Sequence, residues 1–276
     1  MTKYLSIFLL LIIYSFLGWC GEMIYCSIGQ RKLCEKRGFL NGPLCPIYGH
    51  GALIVLLFLN GGCANPILTF LFGAILTSIV EYVTSYLMEK FFHMRWWDYS
   101  RYRFHINGRV CLLNSTLFGL ASVFLCHFAN PPIVSWVKKL FTSGVGLPLS
   151  VAVLIVYTAD IILSVRSAIQ IGDHLAKLHR IHDELAFRLE EVKAEARDTV
   201  QTKLEPLTER GDELSSRLEE IKQEAQQKLH ALYERQDIFE RRLLHSFPSL
   251  KSVHHPEALT KWREYLANRK QENRKH

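Results

Sequence analysis

The stretch EKFFHMRWWDYSRYRFHINGRVCLLNS, Glu89 to Ser115, sets Trp96, Trp97, Tyr99, Tyr102 and Phe104 among Arg95, Asp98, Arg101, Arg103 and Arg109, between two apolar runs, Pro66 to Met88 and Val110 to Phe128. Indole and phenol rings have an apolar body and a polar tip and settle at headgroup depth, while arginines collect on the cytoplasmic side of a membrane. Residues 89–109 therefore read as a structured cytoplasmic-side connector between two membrane helices. Simple anchoring accounts for the rings and the arginines. It leaves unexplained the N-G-R turn at Asn107, Gly108 and Arg109, and the lone Asp98 among the rings, which mark a folded element.

Outward from this stretch, Tyr4 to Ile24 opens the chain with roughly the twenty apolar residues a bilayer requires. A cleaved signal is disfavoured, because Trp19 and Glu22 sit where small residues would be needed. Further spans are expected at Ile47 to Leu59, Pro66 to Met88, Val110 to Phe128 and Leu147 to Val165, with Pro131 and Pro132 breaking the chain and Ser135 to Phe141 lying along the interface. The fold class is thus all-α, a polytopic membrane helix bundle of about five transmembrane helices over residues 1–165. Structured loops are expected at 29–46 and 89–109. The first runs into Gly38 to Gly51, whose glycines and prolines suit a loop over the bundle or a partly re-entrant one.

Arg31, Lys32, Lys36 and Arg37 fall in the first loop and Lys90, Arg95, Arg101, Arg103 and Arg109 in the connector, against Lys3, Lys138 and Lys139 on the other side. The N-terminus is expected outside and the tail in the cytoplasm. From Arg166 the pattern changes. Leu175, Leu178, His182, Leu185, Leu189, Val192 and Ala196 recur three and four apart, as do Leu214, Leu218, Ile221, Ala225, Leu229 and Leu232. This is a coiled-coil pattern over residues 166–245, interrupted at Pro206 and Gly211, which makes it a kinked rod or an antiparallel hairpin. Residues 246–276 form a short C-terminal extension, with a helix expected from Pro256 carrying Trp262, Tyr265 and Leu266.

The net charge of +7 does not indicate nucleic acid, since the basic excess belongs to the membrane-side loops and the tail alternates signs. None of the seven cysteines has a spacing that builds a zinc site, and no cofactor is expected; Cys63, in a loop placed outside, is the thiol most exposed to oxidation. The intramembrane acids are more informative. Glu22, Glu81 and Asp160 sit at similar depth near the inner ends of their spans, with Tyr48 and Asn114 entering the same layer. A carboxylate in hydrocarbon costs roughly 2.5–3.5 kcal/mol on insertion scales, so such groups face an interior or a cavity. The expected site is a cytoplasm-facing pocket for a cation or a positive group, with Arg37 and Arg109 as charge partners and Trp96, Trp97, Asp98 and Asn107 in the loop beside it. The plainer alternative is that Glu81 with Arg109, or Asp160 with Arg166, latches helices together.

Several segments read together: LGWCGEMIY at Leu17 to Tyr25, RGFLNGPLCPIYGHG at Arg37 to Gly51, EYVTSYLMEK at Glu81 to Lys90, RWWDYS at Arg95 to Ser100, NGRVCLL at Asn107 to Leu113 and DIILSVR at Asp160 to Arg166. The chain from about Leu5 to Ile171 resembles the bacterial family labelled putative ABC-transporter type IV, the CmpB-like permeases. That resemblance implies an integral protein of the bacterial cytoplasmic membrane. It points to a permease-type subunit, and the absence of a G-x-x-x-x-G-K-S/T phosphate loop would leave any ATPase to a separate chain. Two other classes compete. A membrane-anchored scaffold would work through its coiled coil, by self-association or with another cytoplasmic protein; a membrane enzyme would have to draw on His93, His105 and Asp98, whose spacing forms no recognisable catalytic set. An enzyme is not expected.

Overall fold

The computed structural model describes residues 2–30, 37–59, 65–202, 207–234 and 237–272. The chain divides into two compact units, Met1–Ala168 with Phe239–Lys251, and Ile169–Ile238 with Ser252–His276. Unit one contains α1 (Thr2–Gln30), α2 (Pro46–Phe58), α3 (Pro66–Phe92), α4 (Leu112–Phe124) and α5 (Asn130–Thr142). It also takes the first part of α6 (Gly146–Thr202) and most of α8 (Ile238–Ser246). Around the connector run the short strands β1 (Met94–Arg95), β2 (His105–Ile106) and β3 (Val110–Cys111).

Among the described residues, four helical runs are long and apolar enough to cross a membrane: Thr2–Gly29, Pro66–Phe92, Leu112–Thr142 and Gly146–Glu195. The remaining expected span is α2, apolar throughout but 13 residues long, which reaches about 20 Å at a helical rise of 1.5 Å per residue. The surface of these helices is inverted relative to a water-soluble bundle. Ile75, Ile79, Phe124, Ile155 and Val156 lie exposed, while Ser15, Ser150, Ser164 and Thr69 are buried between helices. Small polar side chains return their hydroxyls to the backbone one turn earlier, as Ser15 does to Leu11 O at 2.7 Å, and let helices approach closely. The α1–α2 contact depends on this: a Cβ at Gly18 or Gly49 would stand 2.2 Å from Tyr48 Cβ and from Ser15 Oγ, respectively.

Two expectations are corrected. Pro131 and Pro132 do not break the chain, because the helical run continues from α4 into α5 through a π-helical segment, Leu125–Ala129. Proline lacks the N–H and crowds the carbonyl four residues back. The wider turn, closed by Asn130 N–H on Leu125 O, passes that carbonyl ladder on without a break, so Ser135 to Phe141 continues the helix. Likewise Gly211 interrupts nothing: it lies inside α7 (Leu207–Glu234), while Pro206 falls outside the described residues. Cys63 also falls outside them; Cys126, in the π-helical segment, is disulfide-bonded.

In the second unit α6 and α7 are antiparallel. Glu184, Arg188 and Glu195 of α6 meet Lys228, Glu224 and Arg217 of α7 at 3.7, 2.9 and 3.0 Å, so the partner number falls as the α6 number rises. This is the hairpin rather than the kinked rod. Val192 and Ala225 are buried between the ion pairs. The helix expected from Pro256 is α9 (Pro256–Glu272); its Trp262 is buried with the His174 ring edge-on at 6.0 Å, and Tyr265 stacks on Tyr233 at 4.4 Å.

Candidate functional site: an acid layer beside a folded connector

The connector begins where His93 adopts the left-handed conformation (φ 53°) and ends α3. Trp96 follows, 2% exposed, with Phe39, Phe92 and Phe247 ringing it edge-on at 5.2, 5.8 and 5.0 Å. The N-G-R segment is a hairpin turn between β2 and β3, with Asn107 and Gly108 both at positive φ (52° and 67°) and Arg109 N–H returning to Ile106 O at 3.0 Å. Twisted strands favour this handedness, and Asn-Gly is the sequence that tolerates it. Gly108 is needed twice over, because a Cβ there would lie 2.5 Å from Asp98 Oδ1. Tyr99 N–H donates to Gly108 O at 2.8 Å, Trp97 Nε1 to Arg109 O at 3.0 Å, and Asn107 Nδ2 to Tyr82 Oη at 2.9 Å.

Glu89, Arg95, Asp98 and Arg109 are paired with one another or with their neighbours. Arg109, 7% exposed, reaches Glu89 Oε2 at 2.9 Å and Ser85 Oγ at 3.2 Å, with the rings of Tyr82 and Tyr86 at 5.8 and 5.6 Å. Arg95 Nε shares the same Glu89 oxygen at 3.0 Å. Asp98 accepts from Ser100 N–H at 3.0 Å, from Ser100 Oγ and from Lys251 Nζ. Burial alone would raise its carboxyl, but the Lys251 and Ser100 donors outweigh it and hold the group well below the usual carboxylate range. His105 Nδ1 accepts from Gly108 N–H at 3.1 Å. His105 and Asp98 thus hold the connector in shape, and His93 caps a helix.

Beneath the connector the acids are treated differently. Glu81, 4% exposed, accepts the Tyr99 hydroxyl on Oε1 at 3.0 Å, and its Oε2 has no hydrogen-bond partner among the described residues. Glu22 accepts the Tyr48 hydroxyl on Oε2 and the Cys26 thiol on Oε1 at 3.4 Å. Burial raises the Tyr99 hydroxyl far above its ordinary range; Glu81, which accepts its hydrogen bond, and then Glu22 push it the same way, so both carboxylates lie within electrostatic reach of this phenol. Glu22, Tyr48, Glu81 and Tyr99 therefore make one layer drawn from α1, α2, α3 and the connector. Among the described residues no ion pair involves either carboxylate, since Arg109 goes to Glu89. Asn114 is half-buried in the first turn of α4.

Asp160 is engaged elsewhere. Its Oδ1 accepts from Asn41 N–H and Nδ2 at 2.8 and 2.9 Å and from Ser164 Oγ at 3.3 Å; its Oδ2 accepts from Gly42 N–H at 2.8 Å. That carboxylate fastens the loop before α2 to α6. From α8, Arg242 donates to Leu40 O and, at 2.7 Å, to Phe39 O. Arg37 places Nη1 on Ser246 O at 3.0 Å, and its own carbonyl accepts Trp19 Nε1 at 3.2 Å. Sequence reasoning missed Tyr99, Ser85, Glu89 and Arg242. Only Glu89, an acid among connector arginines, carried a local signal.

With this geometry in place, comparison with known proteins is decisive for the family. The model of the family described as "Putative ABC-transporter type IV" matches residues 9–165. The chain belongs to that family. The matched segment carries the acid layer, the connector and Asp160 alike. No curated protein and no solved structure matches the chain. Family membership and the apolar helices make this a membrane protein of a transporter family. Among the described residues no cluster of three or more His, Cys, Asp or Glu side chains is arranged to hold a metal ion.

Proposed function

We propose that this chain is a permease-type subunit of a bacterial transporter, in which Glu22, Tyr48, Glu81 and Tyr99, with Asn114 beside them, bind a cation or the positive group of a substrate. The observation that carries the proposal is Glu81: a carboxylate 4% exposed, with one oxygen on a phenol and the other unpartnered. Leaving a buried charge unanswered is costly, and intramembrane acids are retained chiefly where they meet an ion, a proton or a substrate. The family label supports transport, and a separate ATPase chain would supply energy, since the sequence holds no phosphate loop.

The sidedness we infer is N-terminus outside and tail in the cytoplasm, from the arginines of the connector and first loop. The disulfide at Cys126 supports an outward-facing position for that part of the bundle, because disulfides persist in oxidising compartments. The α6–α7 hairpin favours a second reading, a membrane-anchored scaffold acting through a coiled coil, because its paired helices present a long charged flank to a partner. Complementation of a deletion strain by Glu22→Gln, Glu81→Gln and Asp160→Asn separates the two. Transport predicts that the two glutamine variants accumulate normally yet fail to complement, whereas Asp160→Asn fails through reduced accumulation. Full complementation by both glutamine variants, with loss on deleting residues 169–238, would establish the scaffold.

A further inference from the structure

The segment Phe239–Lys251 folds as part of the first unit although the chain on both sides of it, up to Ile238 and from Ser252, belongs to the second. It docks through a defined seam: Leu243, Leu244 and Leu250 are buried, Phe247 lies against Trp96, Arg242 caps the Phe39 and Leu40 carbonyls, and Lys251 pairs with Asp98. The loop it covers is the one fastened by Asp160. That loop ends at Cys45, whose N–H donates to Ser15 O at 3.0 Å and whose carbonyl accepts from Tyr48 N–H. Tyr48 then places its hydroxyl on Glu22. Burial lowers the Arg242 guanidinium from its ordinary range, and the charge of Asp160 acts in the opposite sense.

The seam is imperfect in a consistent way. Arg242 Nε, Ser246 Oγ and Trp96 Nε1 are all buried there without a hydrogen-bond partner among the described residues. Opening the seam would hand each of them to water, so docking is opposed by the groups it covers. Lys251 keeps 64% of its side chain exposed at the outer end of the seam, where the chain enters a two-residue strand, Lys251–Ser252, paired with β1.

We propose that Phe239–Lys251 is a detachable latch whose release uncovers the 37–45 loop and, through Cys45 and Tyr48, the Glu22 edge of the acid layer. The latch stands independently of what the acid layer carries, and its test uses no transport readout.

Cys45 is a free thiol, 5% exposed, and reports the state of the latch directly. The experiment is N-ethylmaleimide modification of the full chain in membranes, read for Cys45, Cys26 and Cys111 separately by peptide mass spectrometry. Relative to the unaltered chain, Arg242→Ala is expected to speed Cys45 modification about tenfold while Cys26 and Cys111 change less than about twofold, as local opening requires. The chain carrying Asp98→Cys and Lys251→Cys is then bridged with a short bismaleimide. Bridging is expected to slow Cys45 modification at least about fivefold against the same chain unbridged. If bridging leaves the Cys45 rate unchanged, or if Arg242→Ala leaves it unchanged or raises all three thiols together, the segment is a permanent staple and the proposal is overturned. Should Arg242→Ala not accumulate, the bridged chain decides alone.

Discussion

Glu81 and Glu89 stand on the same helix, eight residues apart, and meet opposite fates. Glu89 is half-exposed at the end of α3 and holds two guanidiniums, Arg95 and Arg109, on one oxygen. Glu81, about 12 Å deeper at 1.5 Å per residue, is almost fully buried and holds one phenol. If helix latching were the purpose of both, the deeper acid, where an unpaired charge is more costly, would be the better answered. The reverse is found: Glu89 organises the connector, and Glu81 is left with a single phenol partner among the described residues, which is what the proposed cation site requires.

The sharpest way to break this contrast is to remove the organising charge. Arg109→Ala would leave Glu89 with one partner and empty the space between Tyr82 and Tyr86, and about 3–5 kcal/mol of stability should be lost, the usual consequence of breaking a buried pair from one side. Thermal unfolding of the detergent-extracted chain checks this. Arg109→Lys should recover only part of the loss, because an ammonium cannot span Glu89 and Ser85 at once. Asp160→Asn comes next, with about 2–3 kcal/mol lost as its charge-assisted bonds to Asn41 and Gly42 weaken. Its signature is local: amide exchange should rise in residues 38–45 before it rises in α3.

Asp98 gives a pH-dependent version of the same test. Its folded carboxyl is held below the ordinary range, so its contribution is present above the unfolded value near 3.9 and is lost as pH falls through the depressed folded value. Lys251→Ala should therefore lower stability at neutral pH, with the two unfolding curves converging in strong acid. Curves that stay parallel down to the lowest pH would remove the Asp98–Lys251 pair from the account. The smallest effect belongs to the second unit, where Arg188→Ala deletes a solvent-exposed bridge to Glu184 and Glu224 and should leave the unfolding midpoint nearly unchanged.

What the sequence revealed follows the range over which each cue acts. The Asn107–Gly108 turn, the start of α2 at Pro46 and of α9 at Pro256, and the long apolar runs depend on neighbours within a turn or two, and were legible. Pro131 and Pro132 misled because proline usually ends a helix, and nothing local announces the π-helical turn that accommodates it. The acid layer was half legible: depth counting brought Glu22, Tyr48 and Glu81 to one level, but depth alone cannot say which side of a helix faces which neighbour. Asp160 accordingly went to Asn41 and Gly42, and Arg109 to Glu89. Arg242 reaches the Leu40 carbonyl across 202 positions of sequence, a pairing that no period or propensity encodes.

The most direct test of the central contrast is the thermal stability of a matched pair, Glu81→Gln and Glu89→Gln, extracted and measured side by side. Glutamine keeps the shape of each side chain and removes its charge. The account predicts a clear loss for Glu89→Gln, on the order of 2 kcal/mol as two guanidiniums lose their counter-charge, and no loss or a gain for Glu81→Gln, whose buried charge has no cationic partner among the described residues. A loss at Glu81 equal to or larger than that at Glu89 would mean that the deeper acid holds the bundle together, and would contradict its assignment as the available group.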